Sequence, residues 1–332
     1  MHDPSLLEGM IDLELKGTPK RSLVVIDEVQ KIPEILDEIH RLIESRQFRF
    51  LLSGSSARKL KKQGANLLAG RAWKAELFPL TSRELAEDFD LPRYLRWGGL
   101  PRVVQSSDPN EELDAYVGTY LKEEIQQEGL VRKLPYFSHF LRLAALNSGL
   151  LLNFEGFSRE VGVSAPTIRE YYSILIDTLL AFELEPFSET LKRKAVATSK
   201  VFLFDSGVTN FLAEIESLDR ASDLYGNRLE QFVGMELRAY LSYRRKKEVM
   251  RFWRSQQGDE VDFVIGKHMA IEVKATKKIE NKHLKGLNTL QKEGIFKEFI
   301  VVSNDPVVHK RGVIQCLPID EFLKRLWNDR IF

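Results

Sequence analysis

Residues 260–275, EVDFVIGKHMAIEVKA, constrain the fold more than any other stretch of this chain. Val261, Phe263 and Ile265 alternate with Asp262 and Val264, and after a turn Ile271 and Val273 alternate with Glu272 and Lys274. A period of two predicts paired strands with one apolar face and one face carrying the charges. Opposite residues of an antiparallel pair share a face, so Phe263 and Val261 should oppose Ile271 and Val273. That requires a three-residue turn, Gly266–His268, which sets Asp262 against Glu272, whereas a two-residue turn would scramble both faces. Opposed carboxylates repel. The sequence offers two remedies: Lys274 on the same face, or a divalent cation held by Asp262 and Glu272.

The helix before this hairpin, NRLEQFVGMELRAYL, supplies further acids. Leu229, Phe232, Val233, Leu237, Tyr240 and Leu241 form its apolar stripe; Glu230 flanks it and Glu236 falls within it, where an unpaired carboxylate is costly. An acid followed by Glu-x-Lys on the next strand resembles the PD-(D/E)xK nuclease fold, in which a metal activates water and the lysine positions or deprotonates it. Lys274, Lys277, Lys278, Lys282 and Lys285 then form a stretch suited to a phosphate backbone. The plainer alternative is a solvated hairpin with a chance ion pair.

Near the N-terminus, Leu23–Ile26 runs straight into Asp27 and Glu28, as in a fully buried parallel strand delivering acids to its carboxyl end. Pro33 opens a helix with a stripe of Ile35, Leu36, Ile39, Leu42 and Ile43, and Phe50–Leu52 forms a second strand leading into Ser53–Ser56. A crossover helix makes the strands parallel, so the two polar ends should share one sheet edge. Arg71 lies in a turn before an expected third strand at 72–77. Residues 90–147 read as helical, broken by a tight turn at Gly98, Gly99 and Pro101.

Residues 151–206 read as a short helix, a turn through Gly162, a second helix capped by Ser164, and two strand-like runs flanking a basic loop. This pattern predicts a winged helix that could bind DNA through Thr167 and Arg169 on the helix and Lys192, Arg193, Lys194 and Lys200 on the wing. The alternative is a winged helix that only packs on its neighbours.

Composition narrows the class. At 332 residues the chain has room for two or three domains. Its one cysteine excludes an internal disulfide and suits a reducing cytoplasm. No apolar run approaches the ~20 residues of a membrane span, and the start MHDPSLLEG has neither part of a signal peptide. The histidines show no zinc spacing. A net charge of +1 means that any basic surface is local.

Taken together, LVVIDEVQKIPE, FLLSGSSARKL, LLAGRAWKAELFPLTSREL, YLRWGGLPRVV, KVFLFDSGV, GNRLEQFVGMEL and EVDFVI…AIEVKA resemble prokaryotic AAA-type P-loop ATPases with an appended C-terminal domain. The resemblance implies an α/β fold: a partial P-loop ATPase parallel sheet (1–88), a helical lid-like segment (89–150), a winged helix (151–207) and an α/β nuclease-like PD-(D/E)xK domain (208–332). It implies ATP as nucleotide, Mg²⁺ on Asp27, water activation by Glu28, γ-phosphate sensing by Ser53 or Ser55, and nucleotide contact in trans by Arg71. The departure is the motif G-x-x-x-x-G-K-[ST], which this sequence lacks. It resembles the family only from just before the Asp27 strand onward, and the expected edge of the second strand would be open to a second chain or a further copy. The expectation is a protein of this family, ATPase-deficient as this polypeptide, with a DNA-binding role. The alternatives are a Mg²⁺-dependent nuclease and a non-catalytic DNA- or protein-binding module.

Overall fold

The computed structural model describes residues 5–14, 22–46, 48–54, 72–121, 134–190 and 192–332. Two compact units divide the chain, one of residues 1–74 and 173–180, the other of residues 75–172 and 181–332.

In the first unit, β1 (Leu23–Ile26) pairs in parallel with β2 (Arg49–Leu52) through the crossover helix Ile35–Arg46, with Ile26 opposite Leu52. The helix buries Ile35, Leu36, Ile39 and Leu42 against Val24, Ile26, Phe50 and Leu52, and helix Leu6–Glu14 adds Leu7 and Ile11. Among the described residues only one face of the strands is covered. Leu23, Val25 and Leu51 are more than half exposed, so the fully buried strand expected from LVVI is not found among the described residues. Alternation of burial, not the uniform apolar run, describes these strands. Nor do residues 72–77 form a strand: they carry no ladder bonds, and Trp73 and Leu77 stand almost fully exposed.

The second unit is built on a mixed six-stranded sheet. In chain order its strands are β5 (Met250–Arg254), β6 (Glu260–Ile265), β7 (Met269–Lys274), β8 (Glu298–Ser303), β9 (His309–Arg311) and β10 (Ile314–Pro318), arranged β5-β6-β7-β8-β10-β9. β6 and β7 pair antiparallel with Phe263 opposite Ile271, Val264 opposite Ala270 and Ile265 opposite Met269, across the turn Gly266–His268. For these three pairs that is the register the alternating pattern demands; Val261, expected beside Phe263 and opposite Val273, instead pairs with Trp253 where the β5–β6 register shifts, and it packs on the other face. The second face, however, is not solvated. Phe263, Ile265, Met269 and Ile271 pack with helix Asp223–Tyr243, while Val261, Val264 and Ala270 pack with Leu284, Leu287 and Leu290. Two acids of these strands are therefore enclosed: Asp262 and Glu272 are 5% and 6% exposed.

Helices Leu134–Leu146, Phe154–Val161 and Ala165–Asp177 precede the hairpin of β3 (Ala181–Leu184) and β4 (Lys200–Leu203). Ser164 caps the third of these helices by accepting from the Thr167 amide, and rings of Phe137, Phe140, Phe157, Tyr171 and Tyr172 interlock beneath it. The WGG turn is more than a turn. Helix Leu91–Trp97 ends where the Gly99 amide donates to buried Asp205, and Ser206 and Asn210 donate to the carbonyls of Tyr94, Leu95 and Arg96. Gly207 permits that contact, since a Cβ there would lie 2.0 Å from the Trp97 carbonyl oxygen.

Candidate functional site

Two clusters of acids stand out. The first lies at the carboxyl edge of β1 and β2. The Ser53 hydroxyl donates to Asp27 Oδ1, and the Glu28 amide donates to the same oxygen at 3.0 Å. The Val29 amide donates to the Ser53 carbonyl at 3.0 Å, closing the two strand ends together. Parallel pairing is what brings residues 26 positions apart to one edge. Glu28 adopts a left-handed backbone conformation (φ 54°), which costs a residue with a side chain about 1–2 kcal/mol. Its carboxylate lies 3.6 Å from Lys31. Asp27 is exposed, so one carboxylate and one hydroxyl face a place that a ligand can reach. The expected partners Ser55 and Arg71 lie outside the described residues.

The second cluster is enclosed. Lys274 Nζ lies 2.5 Å from Glu272 Oε1 and 3.7 Å from Asp262 Oδ2, so both acids face one ammonium. Past Phe263 the Asp262 carboxylate itself takes the Val273 amide at 2.7 Å, a side chain in place of a ladder bond. Glu230, from helix Asp223–Tyr243, completes this side. Burial pushes its carboxyl up to about 7, against the pull of Lys200. Burial and the neighbouring Asp262 hold Glu272 well above the usual carboxylate range. Burial would lower the Lys274 ammonium, but Asp262 and Glu272 outweigh it and hold its pKa above the ordinary value.

Glu236 stands elsewhere. Its carboxylate accepts from the Ser82 amide (2.6 Å), the Ser82 hydroxyl (2.8 Å) and Trp327 Nε1 (2.6 Å), which satisfies the acid that the apolar stripe seemed to strand. Lys200 is also displaced from its expected place. It is 3% exposed, and its Nζ lies 3.0 Å from Glu230 and 2.6 Å from Glu260, so it joins the acid cluster and not a basic surface. The basic loop beside it is tied down as well: the Lys192 ammonium donates to the Lys292 carbonyl, and Arg193 lies 3.1 Å from Glu293. Thr167 is occupied with the Ser164 cap, and the Arg169 guanidinium lies over the Phe154 ring at 4.2 Å. Lys194 remains exposed.

Glu260 and Asp205 were not singled out from sequence. Glu260 opens a strand whose alternation gave no hint that its carboxylate bridges Lys200 and Arg254. Asp205 is legible in retrospect as an N-cap before Ser-Gly; it accepts from the Val208 amide at 2.9 Å, and burial raises its carboxyl to about 6.

The second cluster does not fit a metal ion. No three His, Cys, Asp or Glu side chains among the described residues are grouped to hold one. The inward oxygens of Glu230, Glu260 and Asp262 are engaged by ammonium groups and a backbone amide.

Comparison with known proteins divides the chain into three matches. Residues 2–86 match an AAA domain, residues 88–219 a domain of unknown function (DUF8612), and residues 225–322 a domain of unknown function (DUF4143). An uncharacterized protein of Mycobacterium tuberculosis is 28% identical over 265 residues, covering 76% of this chain and 59% of the relative. One of Methanocaldococcus jannaschii is 25% identical over 281 residues, 77% of this chain and 60% of the relative. One of Haemophilus influenzae is 23% identical over 253 residues, 71% and 62%. The chain thus spans about three-fifths of the length of these curated relatives. No solved structure matches. No helix among the described residues is long and apolar enough to cross a membrane.

Proposed function

We propose that this chain is an AAA-type ATPase-family protein whose residues Asp27, Glu28 and Ser53 form the metal and water side of a nucleotide site. The observation that carries this reading is the Ser53 hydroxyl on the Asp27 carboxylate, at the shared edge of two parallel strands inside the segment that matches an AAA domain. Mg²⁺ is held in such sites by one or two carboxylates plus substrate phosphates, so a single exposed Asp27 suits it. The ion would neutralise charge on the β- and γ-phosphate oxygens. Asp27 would bind it, Ser53 would fix the carboxylate's orientation, and Glu28 would orient a water. Ser55 and Arg71 would act as phosphate sensor and trans contact.

The polypeptide of these 332 residues does not, on this reading, hydrolyse ATP by itself. Phosphates are held in such sites by backbone amides of a glycine loop, a helix N-terminus and a lysine, and the sequence has no G-x-x-x-x-G-K-[ST]. The Ser53 hydroxyl supplies about 1 kcal/mol, too little to hold a nucleotide against two carboxylates. Calorimetry with Mg²⁺ and ATP tests this: no saturable binding is expected, and micromolar affinity abolished by Asp27→Ala would overturn it.

We read residues 151–207 as a winged helix and 208–332 as a nuclease-like fold, both serving as a non-catalytic binding body. Convergence of Glu230, Asp262, Glu272 and Lys274 favours the second reading, a Mg²⁺-dependent nuclease. The lysines seated on those acids argue against it. Nicking of supercoiled DNA that needs both Mg²⁺ and Lys274 would reverse that preference. DNA, if bound, would meet Lys194, Arg169 and the exposed Lys277 and Lys278.

A further inference from the structure

Glu230, Glu260, Asp262 and Glu272 share one enclosed region, and buried acids persist only when paired and hydrogen-bonded. Lys274 serves two of them, Asp262 and Glu272. The other two share Lys200, which comes from a different element. Its side chain is 4% exposed, and its Nζ lies 2.6 Å from Glu260 Oε1, 3.0 Å from Glu230 Oε1 and 5.3 Å from the centroid of the Phe252 ring. Asp262 also lies within electrostatic reach of this ammonium. A divalent cation needs several oxygen donors at roughly 2.0–2.6 Å with lone pairs turned inward. One such oxygen is left over, Glu272 Oε2, which is buried without a partner. A single donor does not hold a metal.

Lys200 is seated by backbone bonds at a distance from its own side chain. The loop before it is stitched to the edge of the sheet: Phe187 N–H to the Phe252 carbonyl (2.6 Å), Phe252 N–H to Glu185 (3.1 Å), Val196 N–H to Arg254 (2.9 Å) and Gln256 N–H to Lys194 (3.1 Å). Within the hairpin Lys200 pairs with Leu184. A flexible surface lysine samples many partners. This one is delivered to a fixed point by the main chain on both sides of the loop.

We propose that Lys200 takes the place of a divalent metal ion in this cluster, so that the native chain excludes metal there and removal of the ammonium lets Glu230, Glu260 and Asp262, the acids around it, close on a metal ion. Compensation by an ammonium differs from compensation by a metal in what it allows. The ammonium neutralises charge and donates hydrogen bonds, but it brings no bound water to activate. The inference rests on the acids that surround Lys200, and nothing in it depends on nucleotide binding at Asp27.

The probe is Mn²⁺, titrated by calorimetry and by the loss of the free-ion electron paramagnetic signal, on the full chain carrying Asp27→Ala to remove the other acid edge. In that background no saturable Mn²⁺ binding that depends on Asp262 is expected. Lys200→Met, similar in length and uncharged, should bind one Mn²⁺ at least tenfold more tightly than its parent. Asp262→Asn should abolish the gain, and Mn²⁺ should raise the melting temperature of the Lys200→Met chain alone. Two results would overturn the proposal: parent chain binding one Mn²⁺ in a way that Asp262→Asn removes, or folded Lys200→Met with no gain. Should Lys200→Met fail to fold with or without Mn²⁺, Lys200→Gln removes the ammonium while keeping a polar side chain beside the acids, and the same two results decide. DNA nicking with Mn²⁺ separates this from the nuclease reading: the parent chain cleaving through Asp262 would sink this proposal and support that reading, whereas metal uptake by Lys200→Met without cleavage would support the proposal and count against retained nuclease chemistry.

Discussion

The acids at the end of β1 and the acids around Lys200 are the same chemical groups in opposite settings. Asp27 is exposed, beside a sheet of which one apolar face has no cover among the described residues at Leu23, Val25 and Leu51, and its partners there are a hydroxyl and an amide. Glu230, Glu260, Asp262 and Glu272 lie inside a unit covered on both faces of its sheet, and each has an ammonium or guanidinium beside it. An acid left in water keeps its charge at no cost and can wait for a ligand cation. A buried one must bring its cation with it, and a site that has brought its cation has less use for another.

The contrast is broken most forcefully at Lys200. Lys200→Ala leaves Glu230 and Glu260 without their shared ammonium, and breaking a buried pair this way costs about 3–5 kcal/mol. Asp27→Ala should change stability by about 1 kcal/mol or less, since among the described residues it gives up two exposed hydrogen bonds. Urea denaturation of both variants makes the comparison; equal losses would mean that the two clusters are energetically alike.

Acidity sharpens it next. The folded-state pKa of Glu230, about 7, lies above its ordinary 4.5. The stability it contributes is therefore full below pH 4.5 and lost as pH rises through 7, by about 3 kcal/mol in all. Unfolding free energies of the native chain and Glu230→Gln, measured from pH 4.5 to 8, should diverge by that amount. A constant difference across the range would show that Glu230 is not buried as described.

A single methyl group should act with opposite sign in the two regions. Gly286→Ala would place a Cβ 1.8 Å from the Glu260 carbonyl oxygen and should cost about 2–3 kcal/mol. Gly9→Ala, in helix Leu6–Glu14 with nothing within 4 Å, should stabilise its helix by about 0.5–1 kcal/mol. Melting curves of the two variants, read beside the native chain, suffice. The smallest effect concerns DNA. With Lys192 and Arg193 already engaged by residues 292 and 293, replacing both and Lys194 by Ala should reduce the slope of log affinity against log salt by about 1 at most. A loss of two or three would return the loop to the nucleic-acid surface.

Local pattern was enough wherever the decisive contact was local. The β6–β7 register followed from alternation and one turn, the parallel pairing of β1 and β2 from a crossover helix, and the Ser164 cap from its place before an apolar stripe. Asp262, Glu272 and Lys274 converge as expected, but past the end of that ladder, where the alternation breaks at Val261 and Asp262 takes the Val273 amide. What stayed hidden depends on residues far apart in the chain. Lys200 looked like one more cation of a basic loop, because nothing near it in sequence announces Glu230 or Glu260. Glu236 looked like a site acid because its satisfying partners are 154 and 91 residues away. The bare face of β1 escaped notice for a related reason: four apolar residues in a row say that a strand can be covered on both faces, not that the described residues cover it.

The carboxylate of Glu236 serves two clients, Ser82 and Trp327, and so makes the two ends of the larger unit interdependent. The match to an AAA domain runs to residue 86, yet residues 75–86 belong to the unit that ends at Phe332. The end of the sequence match and the boundary of the compact unit are therefore different places. A chain severed after residue 86 would carry away the Ser82 that occupies Glu236 and expose a buried acid in the half left behind. One severed after Lys74 would keep that joint intact. Exchange of the N-terminal part between relatives should be tolerated at the second seam and rejected at the first.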